Sequence, residues 1–268
     1  MISFVGAGPG AADLITLRGR DRLAEADVVI WASSLVPEAI LAHCHAEVVT
    51  HDSATMTLED VLTVYEAAGP DARIVRLHSG DPSVYGAIQE QIDWCLANDR
   101  AFEIVPGVSS VSAAAALVGR ELTIPGVAQS VVLTRLGGRT SASMPERESV
   151  AAFAAMGTTM AVFLSAARPR ELQDELQAEG SGYVAETPAV IVVRASWPDE
   201  QLIRTTVGEL ADTLKATAIL RTVLVLVGPA LADSQESGPV QRSRLYAPDH
   251  AHHFRRRSRP GTTTGRPA

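Results

Sequence analysis

Three short clusters of glycine, proline, serine and one carboxylate close apolar runs within the first 110 residues, and each has a composition suited to holding a ligand. The first, Gly6-Ala7-Gly8-Pro9-Gly10-Ala11, fits the permissive G-x-G-x-x-G/A dinucleotide fingerprint. That fingerprint works by aiming backbone N–H groups at a pyrophosphate, and Pro9 has none to give. The following strand, DVVIWA, should end in an acid to hold ribose hydroxyls, yet it runs into Ser33-Ser34. The cluster is therefore read as a tight turn or as a loop lining some other ligand.

The second cluster is His78-Ser79-Gly80-Asp81-Pro82-Ser83-Val84-Tyr85-Gly86, and the third is Val105-Pro106-Gly107-Val108-Ser109-Ser110. Both follow strand-like runs, and ligands in α/β sheets bind beyond the carboxyl ends of strands, where glycine lets backbone amides come close. Asp81 is placed either to accept hydrogen bonds from a ligand or to cap the next helix. Ser109 and Ser110 either face the ligand or cap the helix they precede.

Other chemistries find less support. His43-Cys44-His45 with His51 fits no usual zinc spacing, so no metal site is expected. There is no G-x-S-x-G elbow, Walker loop or H-E-x-x-H helix, which argues against hydrolase, P-loop NTPase and metalloprotease functions.

The elements that must position these clusters alternate. SFVGAG, DVVIWA, ARIVRLHS and FEIVPG read as strands. LRGRDRLAEA reads as a helix, and Thr57 with Asp60 forms a capping box opening another whose apolar face is Leu58, Val61, Leu62 and Tyr65. A third helix carries Ile88, Ile92, Cys95 and Leu96 at helical spacing, and the Ala-rich helix after Ser109 and Ser110 lacks a polar face, as a buried helix would. The pattern resets near Leu122 to Gly126, with Pro125-Gly126 as a hinge. Beyond it QSVVLTRL, TTMAVFLS, AVIVVRAS, QLIRTTV and TVLVLVG read as strands. MPERESVAAFAAM, with Pro145 near its start, PRELQDELQAEG, ended by Gly180, and GELADTLKA read as helices. The expected fold is α/β in two domains, 1–121 and 122–232, followed by a basic, disordered tail over 233–268.

Composition agrees with a folded chain: 268 residues, 46% hydrophobic and 20% charged, are enough for a substantial core. Two cysteines, Cys44 and Cys95, are read as reduced. No apolar run reaches the ~18 residues of a membrane span and no signal-peptide pattern opens the chain, so a cytoplasmic protein without a membrane partner is expected. The net charge of −8 argues against nucleic acid as a partner. It is unevenly spread, since the last 27 residues hold seven arginines and one acid, leaving 16 basic against 30 acidic residues before position 242.

Taken together, in this order and spacing, the three loops resemble those of the tetrapyrrole methyltransferase family. Gly6 to Gly10 looks like the family's GxGPG loop, Ser79-Gly80-Asp81-Pro82 like its G-D-P loop, and Pro106-Gly107-Val108-Ser109-Ser110 like its P-G-x-[ST]-[SA] loop. Longer stretches resemble the branch of cobalamin biosynthesis that methylates C-11 of precorrin-4: WASSLVPEAI, HSGDPSVYGAIQEQ, GRELTIPGVAQSVVLTRLGGRT, RASWPDE and SRLYAPDH. The likeness spans roughly residues 1 to 247.

The resemblance implies a homodimer of two α/β domains, unlike the Rossmann methyltransferases, with S-adenosylmethionine in the cleft between them. By motif position it implies cofactor contacts at Pro9, at Ser79, Gly80 and Asp81, at Val84, and at Ser109 and Ser110. Leu164 and Ala195 fall where the second domain adds to the pocket. Many relatives have Gly at Ser79 and Thr-Ala at Ser109-Ser110.

Methyl transfer from a sulfonium needs alignment more than acid or base. No catalytic residue is demanded, and Asp81 either favours the cation electrostatically or holds the loop. The implied substrate, precorrin-4, carries many carboxylates, for which arginines are natural partners. Arg135 and Arg139, with Ser33 and Ser34, follow strand ends and are the substrate-binding candidates. Metal-free and cobalt-bound precorrin-4 are not separable on these residues. A methyltransferase acting at another ring carbon, a nucleotide-dependent oxidoreductase and a non-catalytic tetrapyrrole carrier stand as alternatives.

Overall fold

In the computed structural model, which describes residues 1–137, 142–233, 243–247, 250–251 and 253, the run ISFVG forms β1 (Ile2–Gly6), buried at every position. It lies inside a parallel sheet with β2 (Val28–Trp31), β3 (Val49–Asp52), β4 (Ile74–His78) and β5 (Phe102–Val105), in the order β3-β2-β4-β1-β5. A central parallel strand is covered on both faces, which is why β1 reads as continuous apolar sequence rather than as alternation. On one face Val5, Val29, Val75, Leu77 and Val105 pack with Leu23 of α1 (Leu17–Ala24). On the other, Ile2, Phe4, Ile30 and Ile74 meet Val61 and Tyr65 of α2 (Leu58–Ala67) and Cys95 of α3 (Gln89–Ala97).

The capping box at Thr57 and Asp60 is formed, each side chain bonding the other's backbone N–H. Two details depart from the sequence expectation. Leu96 is exposed and Gln91 takes the buried position, because the Tyr65 hydroxyl donates to the Gln91 amide oxygen at 2.7 Å and satisfies it in the core. The run VTHD is β3, an edge strand mostly exposed and too polar to announce itself.

The second sheet joins β6 (Val131–Arg135), β7 (Thr159–Phe163), β8 (Pro188–Val193), β9 (Gln201–Thr206) and β10 (Val223–Val227) in the order β6-β7-β10-β8-β9. Only β6 and β7 run parallel; the other three pairings are antiparallel. Met160, Val162, Ile191, Val193, Val225 and Val227 face Leu172 and Leu176 of α6 (Pro169–Leu176) and Leu210 and Leu214 of α7 (Leu210–Thr217). The alternate residues Ala161, Val190, Val192, Leu224 and Leu226 face Val111, Ala114 and Val118 of α4 (Ser110–Val118). Thus α4 covers the second sheet although it precedes the sequence reset at Leu122. Arg204 on β9 donates to the carbonyl of Val118 at 3.1 Å, satisfying the end of α4.

The segment expected as one helix from Pro145 is divided. Pro145 opens a 3-10 turn, and Ser149 caps the short α5 (Val150–Ala154) by accepting from Ala152 N–H. Gly180 lies beyond the end of α6, which closes at Gln177. Of the expected tail, most lies outside the described residues.

Candidate functional site

Register places the three clusters side by side. Gly6 pairs with His78 and Val5 with Val105, so the carboxyl ends of β4, β1 and β5 finish level and their loops emerge together. Contact between the loops requires glycine: a Cβ on Gly107 would lie 2.1 Å from the Gly80 carbonyl oxygen, and one on Gly6 2.5 Å from the Gly107 Cα.

Four amides of these loops are spent on this packing. Ala7 N–H donates to His78 O, Gly8 N–H to Gly80 O and Gly80 N–H back to Gly8 O, while Ala11 N–H donates to Ser196 Oγ at 3.0 Å. Pro9 has no N–H to offer a pyrophosphate, and these four amides are directed at protein acceptors.

Asp81 braces the second loop to the third. One carboxylate oxygen accepts from Gly107 N–H and the other from Ser83 N–H, each at 2.8 Å. Burial pushes the carboxyl up, and the hydrogen bonds from Gly107 and Ser83 outweigh it, leaving the pKa below the usual carboxylate value. Ser109 caps α4 by accepting from Val111 N–H, and Ser110 is its first residue. Beneath the loops, His78 is held neutral, its pKa lowered to about 3 by burial and by Arg76.

Between the loops and the second sheet lies a cavity of about 320 Å³. Pro9, Ser79, Gly80, Asp81, Val84 and the Ser109-Ser110 pair line it from the first half, and Leu164 and Ala195 from the second. The structure thus brings together all nine residues that motif position singled out. The second half also supplies Phe163, Ser165, Val192 and the stretch from Leu220 to Leu224, and the first half adds Leu35 and Tyr85. Sequence reading missed these because they become neighbours only when β7, β8 and β10 meet the loops. Ser165 carries the plainest chemical signal, since its hydroxyl is fully buried, lines the cavity and has no hydrogen-bond partner among the described residues.

The substrate-binding candidates are placed differently. Ser33 donates through its N–H and its hydroxyl to Asp52 at 3.0 and 2.5 Å, Ser34 is exposed, and neither lines the cavity. Arg135 bonds Gly137 O and Ser143 Oγ, and lies near enough to Tyr85 to act on its phenol. Arg139 lies outside the described residues. His43 and His45 bond the carbonyls of Ala12 and Ala26 at 3.1 and 2.8 Å, and the described residues hold no cluster of potential metal ligands. Both cysteines are free. Among the described residues no helix is long and apolar enough to cross a membrane.

Residues 1–211 match the family model of the tetrapyrrole (corrin/porphyrin) methylases. A precorrin-4 C(11)-methyltransferase from Sinorhizobium sp is 44% identical over 259 residues, covering 96% of this chain and 98% of the relative. Among solved structures, a cobalt precorrin-4 methyltransferase of cobalamin biosynthesis superposes with a TM-score of 0.82 at 39% identity, over 87% of this chain and 96% of the other. A uroporphyrin-III C-methyltransferase from Thermus thermophilus, complexed with S-adenosylhomocysteine, gives 0.70 at 28% identity over 86% and 98%.

Proposed function

The chain belongs to the tetrapyrrole (corrin/porphyrin) methylase family, and we propose that within it the protein transfers the methyl group of S-adenosylmethionine to C-11 of precorrin-4, giving precorrin-5 on the route to cobalamin. The observation that carries this reading is the cavity itself, walled by residues of 1–121 on one side and 122–232 on the other, where all nine residues expected at the cofactor converge.

The residues present fit that cofactor. The cavity volume lies in the range of small-molecule sites. Its buried floor of Val192, Ala195 and Leu224 is apolar, and the unpartnered Ser165 hydroxyl leaves a polar group for a ligand to satisfy. Asp81 is the carboxylate among the lining residues, suited to a cationic sulfonium by charge.

S-adenosylmethionine, when bound, supplies a methyl carbon open to in-line displacement by an electron-rich ring carbon. What the protein contributes is position. Pro9, Ser79 to Asp81, Val84 and the Ser109-Ser110 turn line the cavity from the first half, and Leu164 and Ala195 line it from the second. Asp81 holds two loops through Gly107 and Ser83 while its charge faces the cavity, so its service is to fix geometry and field rather than to move a proton.

The protein acts, in this reading, as a cytoplasmic homodimer. A cobalt-bound precorrin-4 is the second reading, favoured by the superposition on a cobalt precorrin-4 methyltransferase. Anaerobic incubation of carbon-13 methyl-labelled S-adenosylmethionine with precorrin-4 and, separately, with its cobalt complex, the product read by carbon NMR, tests both. Label at C-11 supports the reading. Transfer only to the cobalt complex selects the second, and transfer to another carbon overturns the assignment of ring position.

A further inference from the structure

The cavity has a floor and a rim of different character. Ser165, Val192, Ala195 and Leu224 are buried, whereas Leu35, Tyr85, Leu164 and Leu220 line the same cavity and stand 45, 49, 67 and 66% exposed. Large apolar side chains scattered singly on a surface need no explanation, but four around one opening form a patch. Three rim residues sit where L-residues rarely do: Tyr85, Leu164 and Thr222 have φ of +57, +54 and +55°. Such backbone persists only where the surroundings impose it, and here it recurs around one opening.

The rim also has one cationic member. Arg221 stands between Leu220 and Thr222, is exposed, and has no hydrogen-bond or ion-pair partner among the described residues. The Tyr85 ring lies edge-on to Phe163, with centroids 5.1 Å apart and planes at 61°, so the pair bridges the two halves and fixes the tyrosine face.

We propose that this rim is the docking surface for the macrocycle: Leu35, Tyr85, Leu164 and Leu220 receive the ring, and Arg221 binds one of its carboxylates. The inference rests on the tetrapyrrole reading above and adds to it which residues recognise the substrate. A broad ring edged with carboxylates matches an apolar collar with a guanidinium at its edge, and it would lie over the cavity that holds the methyl donor. Arginine rather than lysine suits the task, because its planar fork pairs both carboxylate oxygens. The arginines chosen by strand-end position are not needed for this.

The test uses the full chain loaded with S-adenosylhomocysteine and, as probe, uroporphyrin III, a stable polycarboxylated macrocycle followed by its own fluorescence. Arg221→Gln is expected to weaken probe binding about ten-fold, Arg221→Lys to recover part of that, and Tyr85→Ala to weaken it several-fold, each with a smaller effect on S-adenosylhomocysteine affinity. In turnover with precorrin-4, Arg221→Gln is expected to raise KM with kcat little changed. Probe binding and KM equal to wild type in both Arg221→Gln and Tyr85→Ala would overturn the proposal, whatever the outcome for C-11. Loss of probe binding in Arg221→Gln together with wild-type methylation at a carbon other than C-11 would uphold the rim while removing the assigned ring position.

Discussion

The indole Nε1–H of Trp197 donates to the carbonyl oxygen of Pro9 at 3.0 Å, joining the turn after β8 to the glycine loop after β1. Beside it Ala11 N–H donates to Ser196 Oγ at 3.0 Å, and the Arg194 guanidinium lies 5.8 Å from the Trp197 ring centre. Pro9 and Ala195 both line the cavity, so this clasp ties together two of its walls. Trp197→Phe keeps most of the packing and removes the donor. With about 1 kcal/mol for a hydrogen bond, it is expected to weaken S-adenosylhomocysteine binding about five-fold by calorimetry. An unchanged affinity would mean that the Pro9 loop holds its position without the clasp.

Ser165→Ala should separate ligand binding from stability. The hydroxyl is buried and has no hydrogen-bond partner among the described residues, so its removal costs the ligand-free fold no hydrogen bond there. The melting temperature without ligand is expected to stay level or rise, while S-adenosylhomocysteine binds about three- to ten-fold more weakly. A fall in ligand-free stability with affinity unchanged would make the hydroxyl structural.

Asp81→Asn keeps the shape and loses the charge. An amide can accept from only one of Gly107 and Ser83, and its NH₂ would confront the other donor. Weaker cofactor binding by about ten-fold or more is expected, with a larger loss for cationic S-adenosylmethionine than for S-adenosylhomocysteine if the charge matters beyond the loop. Equal losses for the two would assign Asp81 to holding the loop alone.

His78 gives the fold a pH dependence of known sign. Its folded pKa is lowered to about 3 from 6.5, with burial the main cause, so between those values the unfolded chain takes up a proton that the native protein does not. The contribution to stability is full above about pH 6.5 and is lost as pH falls toward 3. Urea unfolding from pH 7.5 to 5 is expected to show stability declining with acid, and His78→Gln to flatten that slope. Parallel slopes in the two proteins would remove His78 as the cause.

Thr57→Ala serves as a comparison outside the cavity lining. It breaks the capping box of α2 and is expected to cost about 1 kcal/mol of stability. Steady-state kinetics should give an unchanged kcat/KM, and a change there would reveal coupling between α2 and the cavity.

Local chemistry is what one chain of letters can carry. The Thr57 cap, a serine cap at Ser109 or Ser110, the buried Ala-rich α4 and the continuous apolar runs of β1, β8 and β10 all declare themselves within a few residues. Loops with Pro9, Gly80-Asp81 and Gly107 are equally local, because a missing N–H or Cβ is a property of one residue type. Elements decided by their surroundings are less legible. VTHD pairs as β3 because β2 offers it an edge, and Leu96 yields its expected place to Gln91 because Tyr65 waits there with a hydroxyl.

The sequence by itself determined an α/β protein with three ligand-type loops, their relative spacing, and the missing N–H at Pro9. Only the tertiary structure decided that α4 covers the second sheet, that Ser165 is buried without a partner, and that Arg221 rather than Ser33 or Ser34 lines the cavity. The physical reason is range. Caps, turns and periodicity act over one or two turns of chain, whereas a cavity is made by side chains more than a hundred residues apart, brought together by the packing of two sheets.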